Sequence, residues 1–235
     1  MTNKNYFLIT GSSSGLGENL VKVLNEKGLK TIGIDIDEGK NTDIVVDLAS
    51  ISMDDIEKIK VKLENSKIDS IIHCAAVQKN PQKNLSNISK TFDEVFSVNT
   101  KSIYVLIEML ESEFSEFSSI CVISSVHAIA TTVNNTLYAS SKSALRGLIQ
   151  GLTLEKQDKM SIFELILGAM DSPMLLNSVN EKEVNDLKNQ LPSKKILQPE
   201  EVSNLIIDLL IKHRSILHGS SIVIDNGVLS QLSTN

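Results

Sequence analysis

The sequence predicts a single α/β domain over residues 1–235, with a doubly wound parallel sheet between two layers of helices. Two observations carry this prediction. Short apolar runs, typical of buried parallel strands, alternate with helical patterns from one end of the chain to the other. The 235 residues, of which 41% are hydrophobic, suit one large core, and no linker or internal repeat interrupts the alternation.

Each strand is predicted from a short apolar run, and each helix from apolar residues that share one face. The first helix presents Leu16, Leu20 and Leu24 on one face. It is expected to end at Gly28, whereas the last helix begins at Pro199, because proline suits a first turn. The predicted strands are Tyr6–Thr10, Thr31–Asp35, Ile44–Val46, Ser70–Ala75, Ser119–Ile123, Ile162–Leu167 and Ile222–Ile224. The predicted helices run from about Gly15 to Gly28, Met53 to Asn65, Thr91 to Glu111, Leu137 to Glu155 and Pro199 to Lys212.

The composition excludes several classes of protein. A net charge of −6 gives no electrostatic attraction to nucleic acid or to an anionic membrane, so neither is expected as a partner. The N-terminal apolar run is too short for a signal peptide or a membrane span. Cys74 and Cys121 lie in strand-like runs and are expected to be reduced core residues, which favours a cytoplasmic location. No spacing of His, Cys and carboxylates is typical of a metal site.

A glycine-rich turn follows the first predicted strand directly. Gly11, Gly15 and Gly17 give the spacing G-x-x-x-G-x-G, and the next helix begins near Gly15. Glycines let the backbone approach a pyrophosphate, while the helix N-terminus offers unpaired N–H groups and a positive dipole end. Such a turn alone can be purely structural, but its place between the first strand and the first helix favours a dinucleotide site of the Rossmann type.

An acidic residue ends the second predicted strand, 18 positions after Gly17. Asp35 can accept hydrogen bonds from the ribose hydroxyls of an adenosine, and its carboxylate would repel a 2′-phosphate. Neither Ser14 nor Ile36 supplies a positive charge to offset it, so NAD is expected as the cofactor. Asp47, after the third strand, is placed to approach the adenine ring. The alternative for each carboxylate is a capping role in a turn or helix.

A second group of polar residues is expected at the same edge of the sheet. Tyr138 and Lys142 are four residues apart in a predicted helix, so they share one face. Ser125 closes the fifth strand, thirteen residues upstream of Tyr138. Because the carboxyl ends of the strands open onto the ligand crevice, a hydroxyl, a phenol and an ammonium group are expected to converge there.

Together these motifs resemble the short-chain dehydrogenase/reductase family, and the resemblance covers nearly the whole chain. The matching positions are residues 10–17, Asp47, Phe96–Asn99, Ser125, Tyr138, Lys142, Ser172–Met174, residues 198–202 and residues 219–227. The cofactor-binding residues predicted from the motifs and the resemblance are Gly11, Ser13, Ser14, Gly15, Leu16, Gly17, Asp35, Asp47, Leu48, Ala75, Ala76, Tyr138, Lys142, Met170 and Ser172.

The resemblance implies an oxidoreductase that moves a hydride between NAD(H) and a small alcohol or ketone. It implies that Tyr138 is the general acid/base and that Ser125 holds the substrate oxygen. Lys142 would bind the nicotinamide ribose and help to lower the pKa of the phenol, and Asn99 would steady a water in the proton relay. The alternatives are an NADPH-dependent reductase of 3-oxoacyl thioesters and a non-catalytic dinucleotide sensor.

Two segments depart from the family's usual pattern. His73-Cys74-Ala75-Ala76 stands where the family has Asn-Asn-Ala-Gly, and Leu167-Gly168 stands where it has Pro-Gly. The first departure is expected to change the hydrogen bonds that brace the central sheet. The second is expected to loosen the backbone where the nicotinamide amide would dock. None of the four catalytic positions is lost, so activity is expected.

Three further expectations concern the surroundings of the site. The polar stretch around residues 172–198 is expected to be a lid over the substrate, because it follows the sixth strand and has the least regular pattern. His127 is open to two interpretations, a substrate contact or a solvent-facing loop residue. The helices that contain Phe92 and Leu148 have more apolar residues than one buried face requires, so a homodimer or homotetramer is expected.

Overall fold

The alternation of strands and helices produces one seven-stranded sheet in which all pairs of neighbours are parallel. The computed structural model describes residues 4–157, 159–177 and 181–231. The strands are β1 (Tyr6–Thr10), β2 (Lys30–Asp35), β3 (Ile44–Val45), β4 (Ile68–His73), β5 (Phe114–Ser125), β6 (Met160–Leu167) and β7 (Ser221–Ile224). Their order is β3-β2-β1-β4-β5-β6-β7, which confirms the doubly wound prediction. The order reverses between β1 and β4, and this is where such folds form their ligand crevice.

Helices cover both faces of the sheet. In the described residues they are α1 (Gly15–Glu26), α2 (Met53–Lys62), α3 (Leu85–Phe96), α4 (Ser102–Met109), α5 (Thr136–Glu155), α6 (Pro173–Leu176), α7 (Glu181–Gln190) and α8 (Pro199–Asp208). One core lies under α2, α4 and α5, and it includes Ile56, Ile107 and Leu145. The other core lies under α1 and α8, and it includes Leu20 and Ile206. The burial of both faces explains why the strands have continuous apolar runs.

Some boundaries differ from the prediction. The long helix predicted from Thr91 begins at Leu85, because the side chain of Asn84 caps it by accepting a hydrogen bond from Asn87 N at 2.9 Å. A π-helical turn, Ser97–Lys101, separates α3 from α4. The first turns of α3 expose most of their residues, so they lack the buried stripe from which a helix is recognised.

The stretch predicted as least regular contains the two helices α6 and α7. Part of the predicted lid, residues 178–180, lies outside the described residues, as do the last residues of the tail, 232–235. Within the described residues, no helix is both long and apolar enough to cross a membrane. Cys74 and Cys121 are both free thiols, and Cys121 is fully buried, as predicted for core cysteines.

Candidate active site

The turn after β1 is compressed so closely that it requires glycine. A Cβ on Gly17 would lie 2.0 Å from the carbonyl oxygen of Gly11, and a Cβ on Gly11 would lie 2.8 Å from Ala75 N. Gly11 and Gly15 also have positive φ angles, of 75° and 55°. Ser14 precedes α1 without capping it through its side chain, so the N–H groups of the first turn stay available to an anion. The structure therefore contains the tight turn and the uncapped helix start that the glycine spacing predicts, and phosphate binding at this turn stays a prediction.

The two carboxylates predicted to contact the adenosine differ in their contacts. Asp35 accepts a hydrogen bond from Ser13 N at 2.9 Å, so the end of β2 is tied to the glycine turn. Its other oxygen accepts from Asp37 N at 3.1 Å. Asp47 accepts from Ala49 N at 2.9 Å and from the hydroxyl of Ser50 at 3.1 Å, which is the capping arrangement weighed as its alternative. Leu48, also predicted to bind the cofactor, has its side chain buried in the core.

His73 takes over the bracing position at the end of β4. Its Nδ1 lies 2.8 Å from the hydroxyl of Thr10, and that hydroxyl also accepts from Ala75 N at 3.2 Å. Burial, and secondarily the charge of Lys142, lower the pKa of His73 to about 3, so the ring is neutral at physiological pH. β1 and β4 are therefore joined through a histidine where the family has asparagine.

Asn99 lies in the π-helical turn and is fully buried. Its Oδ1 accepts from Val77 N at 2.7 Å, and its Nδ2 donates to Val77 O at 3.0 Å. The same Nδ2 donates to the hydroxyl of Ser141 at 2.9 Å, which in turn donates to Tyr138 O at 2.7 Å. The amide thus connects the loop after β4 with the helix that contains Tyr138. Ser141 was not predicted from the sequence, because its only signal is a small hydroxyl one turn after Tyr138.

Tyr138 and Ser125 come together at the carboxyl end of β5. Tyr138 lies in the first turn of α5, and Ser125 is the last residue of β5. Burial raises the pKa of Tyr138, and a hydrogen bond with Ser125 partly offsets this increase. Ser125 Oγ also accepts from His127 N at 3.2 Å. The hydroxyl is therefore held in place by backbone and can still donate its proton.

Lys142 lies beneath Tyr138 on the same face of α5, and the prediction of a shared face is confirmed. Its Nζ donates to Ile123 O at 2.7 Å and lies 5.8 Å from the centre of the Tyr138 ring. The side chain is 1% exposed. Burial lowers the pKa of Lys142 to about 8, although the nearby Cys74 and Glu164 oppose this decrease. Burial raises the pKa of the Cys74 thiol to about 12, so that thiol is neutral and unreactive.

The segment after β6 packs against the glycine turn. A Cβ on Gly15 would lie 3.6 Å from Ser172 Cβ, so this segment lies directly against the glycine turn. Ser172 caps α6 and donates a hydrogen bond to Met170 O at 3.3 Å. Gly168 is required because a Cβ there would lie 2.8 Å from the Cα of Asp225. In the described residues, no group of three or more His, Cys, Asp or Glu side chains could hold a metal ion.

Comparison with known proteins places this geometry in a family. A family model described as enoyl-(acyl carrier protein) reductase matches residues 11–229. The chain belongs to the short-chain dehydrogenase/reductase family. A 3-oxoacyl-acyl-carrier-protein reductase of Buchnera aphidicola is 26% identical over 242 residues, which cover 96% of this chain and 98% of the relative. The carbonyl reductase (NADPH) 2 of Sus scrofa is 25% identical and covers 95% and 96%. A solved short-chain dehydrogenase family protein of Francisella tularensis has a TM-score of 0.84 at 24% identity, over 97% and 99% of the two chains.

As a short-chain dehydrogenase/reductase, the chain is an oxidoreductase that uses a nicotinamide dinucleotide. Its residues fit such a cofactor, because the tight turn has glycines at its closest contacts and no side chain caps the start of α1. The backbone N–H groups at this helix N-terminus are therefore available to a phosphate. The departure at His73 keeps the bond between β1 and β4. The departure at Leu167 puts a buried leucine in the core, and Gly168 N still donates to Ile224 O at 2.9 Å.

Proposed function

We propose that the protein is an NAD(H)-dependent dehydrogenase or reductase that interconverts a small alcohol and its ketone. The observation that carries this proposal is the meeting of Tyr138, Ser125 and Lys142 at the carboxyl end of β5. When bound, the dinucleotide supplies or accepts the hydride, and the protein supplies position and proton transfer.

Tyr138 is the proposed general acid/base, because its phenol is the titratable group that Ser125 contacts. In oxidation it takes the proton of the alcohol, and in reduction it returns a proton to the carbonyl oxygen. Ser125 donates a hydrogen bond to the same substrate oxygen and stabilises the charge that develops there. Lys142 holds a positive charge near the phenol and so favours the phenolate. Lys142 would also bind the ribose on the nicotinamide side of the dinucleotide.

Asn99 completes the proposed proton relay through its backbone. Its side-chain amide is already bonded to Val77 and Ser141. A water between Lys142 and solvent would therefore be held by the main-chain carbonyl of Asn99. Asn99 lies in a π-helical turn, in which the backbone hydrogen bonds do not follow the α-helical pattern.

The choice of NAD over NADP rests on Asp35. Its carboxylate lies at the glycine turn, bonded to Ser13 N, where a 2′-phosphate would be repelled. Ile36, the next residue, is 59% exposed and uncharged. The name of the pig relative specifies NADPH, so NAD is a property proposed for this chain from its own residues. Asp47 and the segments around Ala75, Ala76, Met170 and Ser172 complete the proposed cofactor site.

A second candidate function is the reduction of a 3-oxoacyl thioester. It is favoured by the Buchnera aphidicola relative, whose name states this reaction. The same Tyr138 and Ser125 would act on the 3-oxo group. The position of Asp35 argues against NADPH as the reductant in that reaction.

Assembly, lid and location complete the proposal. Exposed apolar side chains follow one side of α3 and α4, among them Leu85, Phe92 and Met109. Because a monomer seldom leaves such a stripe in water, we propose a homodimer or homotetramer that covers it. Residues 172–198, with α6 and α7, are the proposed substrate lid. A cytoplasmic location stays a prediction from the sequence.

The deciding experiment is a turnover screen of the purified protein. It is incubated with NAD⁺ and a panel of alcohols, and in the reverse direction with NADH and ketones or 3-oxoacyl thioesters, while the absorbance of the reduced cofactor is followed. Turnover with NAD(H) that exceeds turnover with NADP(H) supports the proposal. Cofactor binding without turnover on any substrate would favour a dinucleotide sensor instead.

A further inference from the structure

We propose that His127, together with Gln78 and Asn135, binds a second, uncharged oxygen substituent of the substrate beside the carbon that reacts. The inference rests on the proposed function, because it takes Tyr138 as the group that faces the reacting oxygen. It adds the substrate class: bifunctional molecules with a neighbouring hydroxyl or carbonyl, such as a vicinal diol or a 3-oxoacyl compound, rather than simple alcohols.

His127 stands directly beside the catalytic tyrosine. The centres of the two rings are 5.8 Å apart, and the planes meet at 75°, edge to face. His127 N is also bonded to Ser125 Oγ at 3.2 Å, so the histidine is anchored to the residue proposed to hold the substrate oxygen. A substrate with its oxygen between Tyr138 and Ser125 therefore has the imidazole as a neighbour.

One nitrogen of this ring is used within the protein and the other is open. Nδ1 is hydrogen-bonded to the hydroxyl of Thr131 at 2.9 Å. Nε2 has no hydrogen-bond partner among the described residues. Burial lowers the pKa of His127, so the ring is neutral at pH 7. A neutral Nε2 either donates or accepts, depending on which way the hydroxyl of Thr131 points, and it complements an uncharged oxygen group better than a carboxylate or phosphate.

Two amide side chains, Gln78 and Asn135, supply further polar groups at the N-terminal end of α5, the helix that contains Tyr138. Gln78 Nε2 donates to Asn135 Oδ1, which joins the loop after β4 to the N-terminus of α5. Gln78 follows Val77, whose backbone is bonded to the buried Asn99. Asn135 O accepts from Ala139 N at 2.8 Å, next to Tyr138. Both amides are therefore anchored to elements of the catalytic site.

Charge at this opening favours an uncharged ligand. Lys79, which follows Gln78, forms an ion pair with Glu94. Thr131, which is bonded to the histidine ring, and the two amides are neutral. His127 and Asn135 are partly buried and Gln78 is exposed. A substrate with a second oxygen gains a hydrogen bond to the open nitrogen of the histidine, and a substrate without that oxygen does not gain it.

The test compares matched substrates. With NAD⁺, kcat/KM is measured for butan-2-ol and butane-2,3-diol; with NADH, it is measured for pentan-2-one and a 3-oxobutanoate ester. We expect the wild-type protein to prefer at least one bifunctional compound over its simple counterpart by about tenfold or more. The diol and oxoester arms distinguish a polyol substrate from an acyl substrate.

The variant His127→Phe should lower kcat/KM for the bifunctional compound by about tenfold more than kcat/KM for the simple compound, so that the preference is lost. His127→Gln, which keeps an amide near the position of Nε2, should restore most of it. His213→Phe is the matched control, because His213 is exposed. The next residue, Arg214, is paired with Asp69 at the start of β4, and the site lies at the opposite end of that strand. Gln78→Leu, a change at an exposed residue, is a second probe in case the phenylalanine variant does not fold.

The outcomes separate this inference from the proposed function. Equal kcat/KM for simple and bifunctional compounds, or a preference that survives both His127→Phe and Gln78→Leu, would overturn the recognition site and leave the proposed function standing. Failure of the wild-type protein to turn over any of the four compounds, although it binds NADH, would overturn both.

Discussion

The Nδ1 atom of His73 lies 2.8 Å from the hydroxyl of Thr10, and both side chains are completely buried between β1 and β4. This bond joins the two strands that border the crevice. It also places a titratable ring where protonation is strongly disfavoured, because burial lowers its pKa to about 3.

This histidine should make the protein sensitive to acid. The unfolded chain binds a proton at His73 near pH 6.5, but the folded protein does so only near pH 3. The unfolded state therefore binds more protons between these values, and stability falls as pH falls. Between pH 6.5 and 4.5 the loss from this residue should be about 2–3 kcal/mol.

His73→Asn restores the family's residue and removes that titration. In urea denaturation at several pH values, the variant should show a shallower decline in the free energy of unfolding below pH 6.5 than the wild-type protein. Parallel declines would mean that the ring is accessible to protons in the folded state.

Cofactor preference should follow Asp35. Replacing its carboxylate and adding a cation, as Asp35→Ser with Ile36→Arg, removes the repulsion and provides a partner for a 2′-phosphate. The ratio of the Kd values for NADH and NADPH should shift towards NADPH by at least tenfold. Ile36→Ser alone is the control and should change the ratio little. Tighter binding of NADPH than NADH by the wild-type protein would contradict the assignment.

Tyr138→Phe should abolish turnover but preserve cofactor binding. The change removes the phenolic proton and keeps the ring, so kcat should fall by at least about a thousandfold, while the Kd for NADH stays within severalfold. Tyr104→Phe, at a 43% exposed position of α4, is the matched control and should retain turnover. Near-normal kcat in Tyr138→Phe would require another general acid.

Lys142 should lower stability at neutral pH, because its charge is buried. Its pKa is about 8 in the folded protein and about 10.4 in the unfolded chain, so the unfolded state binds more protons between these values and stability rises with pH. From pH 7 to pH 9.5, the cofactor-free wild-type protein should gain about 2 kcal/mol of unfolding free energy relative to Lys142→Met. The variant should also lose turnover. The same pH dependence in both proteins would show that the ammonium is solvated.

The apolar stripe on α3 and α4 should be an interface. Light scattering at micromolar concentration should give the mass of a dimer or tetramer for the wild-type protein. Phe92→Glu, which adds a charge to an exposed position that stacks on Phe96 at 4.4 Å, should shift the mass towards one chain. Val133→Glu is the control, since Val133 is 86% exposed on a loop away from the stripe. A wild-type mass of one chain would refute the assembly.

Much of the fold follows from local pattern alone. The bounds of β1 agree with the prediction to the residue, and α5 begins one residue earlier than predicted, since hydrophobic periodicity and strong end signals are local properties. The start of α3 and the helices between 173 and 190 were not anticipated. Their residues are largely exposed or polar, so they carry no periodic apolar stripe.

The sequence by itself determined the doubly wound sheet and the position of the glycine turn, because these depend on residue type and spacing. The four catalytic positions are predicted from the resemblance to the family. Only the tertiary structure decided what each side chain contacts. It showed that the amide of Asn99 braces Val77 and Ser141, and that Asp47 caps a turn. It also brought His127 against Tyr138 and Gln78 against Asn135. Apart from the local turn at Asp47, these contacts join residues that are distant in the chain, and no local pattern encodes a distance across the sheet.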